Sequence, residues 1–238
     1  MLIKEEHFRN LYKKPIIIKN KEFAHEIARS LQIDSILEDD LSGEELSQKM
    51  KSLEIDENIN SVLAIPYIDH TAGMSFHVLT TATAGKYNVD IKRREDFSAM
   101  INSRKDNINN SEFEYLENLN VNNDFDMQDY ARSIEIANSY FVNEDIEELR
   151  FVEILDGFRN EDYPDDVRVL FFKEGLEIEQ MWVRYENIIE VPLIEGTLLN
   201  TPFQDMGVSA GDKVRFFPYK KSDSEEFILI CNLDSKGK

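Results

Sequence analysis

The chain has 238 residues, 42% of them hydrophobic, 11% aromatic and 31% charged, with only 9 Gly and 6 Pro. That apolar content can offset chain entropy and build a core, in one large domain or two small ones, and it excludes a disordered or low-complexity chain. Forty-seven acidic residues against 27 Lys and Arg give a formal charge of −20, a field that repels nucleic-acid phosphates and anionic membranes and attracts a basic protein.

Behind Pro15, the run Ile16-Ile17-Ile18 is a predicted strand. Asn20 is placed to cap a helix from Lys21 to about Gln32, with Phe23, Ile27 and Leu31 on one face. Ser42-Gly-Glu-Glu45 is a capping box, in which a hydroxyl and a carboxylate satisfy the open amides of a helix start. The helix it opens is expected to run to Leu53 with Leu46 and Met50 inward. Two β-rich runs, 61–66 and 74–79, flank a hairpin turn at 69–73, and a third strand is expected from Tyr87 to Ile91. The basic patch Lys92-Arg93-Arg94 leads into a predicted short helix carrying Phe97, Met100 and Ile101, and Ser111-Glu-Phe-Glu114 is a second capping-box match.

Asn and Asp crowd residues 118–126, side chains that favour turns, so the boundary between modules is placed there. Asp126 would cap a helix with Met127, Tyr130, Ala131, Ile134 and Ala137 on one stripe. Beyond it the runs 149–155, 167–172, 177–185, 193–199, 213–217 and 227–233 read as consecutive strands, with a hairpin turn at Lys173-Glu-Gly175. Strands that follow one another without crossover helices imply antiparallel pairing. The expected fold class is therefore α+β. An N-terminal mixed module spans 1–122, and a helix plus a C-terminal antiparallel sheet or partial β-barrel spans 123–238.

Each near-match to a catalytic motif fails at a residue its chemistry requires. Gly73-Met-Ser75-Phe-His77 has histidine where the nucleophile elbow needs its second glycine. Residues 80–87 lack the first glycine of a phosphate-binding loop, and Tyr87 stands where a magnesium-binding hydroxyl is needed. The Asn/Asp stretch has Phe125 and Ala131 where a calcium loop needs glycine and glutamate. Of His7, His25, His70 and His77, the last two join Asp69 as the one cluster that a hairpin would bring toward acid–base or ligand-binding work, and their spacing matches no zinc signature. No catalytic residue, metal ligand or cofactor is expected. The single Cys231 lies in the apolar run 227–231, which marks it as a buried strand residue rather than half of a disulfide. The N-terminus lacks a signal-peptide pattern and no segment reaches the ~18 apolar residues of a membrane span, so the expected location is the cytoplasm.

Acidic density peaks in residues 143–166, where only Arg150 and Arg159 offset the carboxylates. Such a run is either a solvated face or a docking surface for a basic partner. On the second reading the binding residues are Glu144, Asp145, Glu147, Glu148, Asp162, Tyr163, Asp165 and Asp166, with Phe158 as a further anchor. Trp182, the only tryptophan, is a core residue or a partly exposed one at a binding edge.

Gln180-Met-Trp-Val183, Glu195-Gly-Thr-Leu-Leu-Asn-Thr-Pro202 and Gly207-Val-Ser-Ala-Gly-Asp-Lys-Val-Arg-Phe216 together resemble the YegJ-like family of bacterial domains of unknown function and related immunity-type domains. Gly207 and Gly211 suit positive backbone torsions, and Asp212 is placed to brace the turn before the next strand. The Asp-Trp continuation of some relatives is absent, and Ser222-Asp-Ser-Glu-Glu226 stands in its place. The resemblance implies a cytosolic protein that neutralises a toxin by binding it. The expected function is thus a non-enzymatic, immunity-type protein that binds a basic protein such as a toxin through its acidic surface. The alternative is an enzyme or small-ligand binder using Asp69, His70 and His77.

Overall fold

The computed structural model describes residues 1–38, 42–93, 101–138, 142–221 and 226–234. The chain divides into two units, Met1–Tyr140 and Phe141–Lys238, and the fold class is α+β.

In chain order the first unit contains α1 (Phe8–Leu11), β1 (Ile16–Lys19), α2 (Lys21–Glu38), α3 (Gly43–Lys51), β2 (Ser61–Asp69), β3 (Gly73–Ala84) and β4 (Asn88–Ile91). It continues through β5 (Ile101–Arg104), α4 (Lys105–Ile108), β6 (Glu112–Tyr115), β7 (Asn120–Val121) and α5 (Ala131–Asn138). Its sheet runs β6-β1-β2-β3-β4-β7, with β5 pairing the first half of β3 while β4 pairs the second. Most pairs are antiparallel, and β4–β7 is parallel.

Continuous apolar runs such as Ile16-Ile17-Ile18 arise because this sheet is buried on both faces, where neither set of alternating side chains meets water. Ile16, Ile18, Val62, Phe76 and Val78 pack on one side with Ala24, Ile27 and Ala28 of α2. On the other side Ile17, Leu63, Ile65 and Leu79 pack with Tyr130. Asn20 caps α2 as its position predicts, its Oδ1 accepting from the Phe23 N–H at 3.0 Å. Ser42 and Glu45 close the capping box of α3, yet Met50 turns outward and is 42% exposed.

Several expectations change. The second capping-box match is a strand: Glu112–Tyr115 pairs with β1, which buries Phe113 and sets Glu114 2.9 Å from Lys19. Tertiary pairing overrides the local cap signal. The helix expected to carry Phe97 and Met100 lies outside the described residues, and Ile101 opens β5 instead. The division between units falls after residue 140 rather than 122, because the segment following Asp126 packs Tyr130 into the first unit's core.

The second unit holds α6 (Glu144–Arg150), a 3-10 turn at Glu153–Phe158, β8 (Asp166–Phe172), β9 (Glu179–Glu190), β10 (Leu193–Leu198), β11 (Lys213–Lys220) and β12 (Phe227–Asn232). The expected strand at 149–155 is instead the end of α6 and this turn. Asn143 caps the helix by accepting from the Ile146 N–H at 2.9 Å, and Ile146, Leu149 and Arg150 are buried at helical spacing. The five strands form a closed barrel rather than a partial one, in the order β10-β11-β12-β8-β9. Neighbours are antiparallel except β12–β8, because an odd number of strands joined as a meander must close on a parallel pair. The interior is filled by Val167, Val169, Phe171, Met181, Val183, Val214, Phe216, Leu229 and the predicted strand residue Cys231, whose thiol burial pushes up to about 12. Gly207 and Gly211 adopt φ of 75° and 95°, and Asp212 accepts from the Ser209 N–H at 2.7 Å, as their sequence pattern predicts.

Candidate binding surface on the second unit

The acidic stretch 143–166 divides into charges that turn inward and charges that face water. Arg150 is 1% exposed and Asp165 2%. The Arg150 Nε and Nη2 donate to the two Asp165 oxygens at 2.9 and 2.7 Å, a bidentate pair. The Tyr185 hydroxyl also donates to Asp165, at 2.8 Å, and receives a bond from Arg159 Nη1 at 2.7 Å. Arg159 further ties the Pro164 and Leu149 carbonyls at 2.7 and 2.6 Å. Burial, followed by the Asp165 charge, raises the Tyr185 pKa above that of an ordinary phenol. The hydroxyl therefore stays a neutral donor, and the network braces α6 against β9.

Asp166 is also buried and forms its own bidentate pair with Arg184, at 2.7 and 2.9 Å. Asp165 and Asp166 were expected on the docking surface. They are internal struts, because a carboxylate leaves water only when a cation and hydrogen bonds replace it. Asp145 is half-buried and accepts from the Ile188 N–H at 2.9 Å, which anchors α6 to β9. Glu147 is half-buried beside Arg150, with 3.8 Å between charged atoms. Asp162 and Tyr163 are half-buried in a turn where Asn160 accepts from both their N–H groups. Phe158 packs partly against the barrel core. Trp182 is half-buried on the outer wall of β9.

Glu144 and Glu148 remain exposed, one helical turn apart on α6, and Glu153 is exposed in the turn beyond. Beside them Phe151 and Ile154 are exposed at 55% and 39%. The sequence reading missed these two because it placed them in a strand. Asn143 followed by Glu144 and Asp145 was the helix-start signal that would have exposed them.

The alternative site does not assemble. Asp69 sits in the β2–β3 turn, where burial pushes its carboxyl up but the Ala72 and Thr71 N–H groups hold it lower than usual. His77 pairs with Ile65, four residues further along the hairpin than Asp69 with Gly73. At about 3.4 Å per residue this puts them roughly 14 Å apart along the hairpin. His77 Nδ1 bonds Asn102 at 2.8 Å and its ring is buried in the sheet. A cavity of about 460 Å³ between α2, the segment leading into β2, and β3 is lined by Leu31, Leu53, Ile59, Thr81 and Lys92, and by none of the three expected residues. Among the described residues no three His, Cys, Asp or Glu side chains are grouped to hold a metal ion. No helix among them is long and apolar enough to cross a membrane.

Comparison with protein-family models, with curated proteins and with solved structures finds no match to this chain.

Proposed function

We propose that the chain is a non-enzymatic, immunity-type binding protein that holds a basic protein partner, such as a toxin, against the acidic surface of its second unit. The observation that carries this reading is the inward turn of Arg150 and Arg159. With both cations consumed by Asp165, Asp156 and backbone carbonyls, α6 and the following turn offer Glu144, Glu148 and Glu153 to water, with Phe151 and Ile154 as apolar anchors among them. Carboxylates around exposed apolar groups steer a cationic partner and then give it something to bury.

The test replaces Glu144, Glu148 and Glu153 with Lys and measures binding of a lysine homopolymer by calorimetry at low salt. The control reverses the same number of exposed charges in the first unit, Glu44, Glu54 and Glu57. The α6 set should weaken binding about tenfold and the control about twofold or less, because nearby charges are screened least. Equal weakening by both sets would mean that net charge alone attracts the probe, and the proposal would fail.

A further inference from the structure

The outer wall of the barrel is divided in a way the core does not require. Over β10 and its neighbours it is a charged ladder: Thr197 bonds Glu186, Lys213 pairs with Glu186, and Arg215 pairs with Glu195 at 3.1 Å. Over the second half of β11, β12 and the end of β8 it is apolar. Strand register places Phe217, Ile230 and Leu170 in one row across the three strands, all facing away from the core. Tyr219 and Ile228 form the row on one side, and Phe172 extends the patch along β8 on the other. Tyr219 is 45% and Phe172 46% exposed, in a barrel that already fills its interior with the opposite side chains of the same strands.

The charge on this wall runs against the rest of the unit. The second unit carries 22 Asp and Glu against 11 Lys and Arg, yet residues 168–172, 180–182, 217–219 and 228–232 contain no carboxylate. The cation among them, Arg168, is exposed, lies opposite Trp182 of β9, comes two residues before Leu170 on the same face of β8, and is steadied by donating to the Gly157 carbonyl at 2.9 Å. Apolar patches on adjacent strands mark contact surfaces when they exceed isolated side chains. This cation at the edge of the apolar rows sets the charge of the occupant.

We infer that this wall is a second interaction surface, for an apolar peptide segment of a partner protein that carries a carboxylate opposite Arg168. It is distinct in place and sign from the acidic surface of α6. A second copy of the chain fits less well, since face-to-face contact would bring Arg168 toward its own symmetry mate.

Trp182, in register with Arg168, is a built-in reporter, because a segment lying across the wall would remove water from the indole. The experiment selects random dodecapeptides displayed on phage against the full chain, then titrates the enriched peptides while following Trp182 emission. The expected result is peptides that combine aliphatic or aromatic residues with Asp or Glu and shift the emission to the blue. Their binding should weaken at least about tenfold in Arg168→Glu, recover in Arg168→Lys, and persist in Glu144→Lys/Glu148→Lys. An unreactive Cys231 thiol in each variant verifies folding. The inference is overturned if no peptide is enriched, if the enriched peptides are neutral or basic, or if Arg168→Glu binds as well as the parent. It is also overturned if light scattering finds a dimer of the chain that Phe172→Ser disperses, for then the occupant is a second copy.

Discussion

The sheet of the first unit and the barrel of the second solve the burial of their strands in different ways. The sheet puts helices and the 116–134 segment over its two faces, so β1 and β2 are buried along all but their last residues. The barrel encloses one face of each strand by curling, and seals the α6 side with a hydrogen-bonded charge network: Arg150, Asp165, Tyr185 and Arg159 lie where the sheet would place aliphatic side chains. Aliphatic burial is non-directional and tolerates small errors, at about 1.5–3 kcal/mol for each large side chain. A buried ion pair works only when complete, so the barrel's stability rests more heavily on single residues.

The sharpest way to break this comparison is Asp165→Ala. It leaves the buried Arg150 guanidinium without its bidentate carboxylate and should cost roughly 3–5 kcal/mol, read as a lower urea midpoint of Trp182 emission. A loss under about 1 kcal/mol would show that water reaches the network and that it behaves as a surface pair. Next is Gly196→Ala. A Cβ there would lie 2.7 Å from Val183 Cγ1 and closer still to the Arg184 carbonyl oxygen, where β9 and β10 cross tightly. The expected cost is about 1–3 kcal/mol, with faster labelling of Cys231 by a thiol reagent as the barrel opens. The smallest effect belongs to Tyr185. Its pKa is raised in the folded state, so folding favours the neutral phenol. The contribution is complete below the unfolded tyrosine value of about 10 and fades as pH rises past it. Alkaline unfolding followed by Trp182 should therefore begin above about pH 10 and be blunted in Tyr185→Phe. That variant should also lose about 0.5–1.5 kcal/mol at neutral pH through its missing hydroxyl bonds.

Much of the fold was legible from local signals. Asn20 and Ser42 cap helices, Lys173-Glu-Gly175 turns with Gly175 at φ 79°, and the last four strands fall near their apolar runs. These succeed because caps, turns and alternation depend on residues only a few positions apart. The failures share a cause as well. Ser111-Glu-Phe-Glu114 carries both a capping box and a period-two alternation, and only pairing with β1 decides for the strand. The stretch 149–155 is apolar enough for a strand, and the cap at Asn143 together with the fit of Leu149 and Arg150 beneath β9 decides for a helix end.

The sequence by itself determined the α+β class, the density of acid in 143–166 and the absence of any complete catalytic motif, because composition and short spacing are local properties. Only the tertiary structure decided which of those acids reach water. Asp165 and Asp166 stand beside Asp162 in the chain, yet they lie inside, since Arg150 and Arg184 arrive from α6 and β9 to replace their lost solvent. The apolar outer wall was equally hidden. Phe217, Ile230 and Leu170 are far apart in sequence, and closure of the barrel sets them in one row.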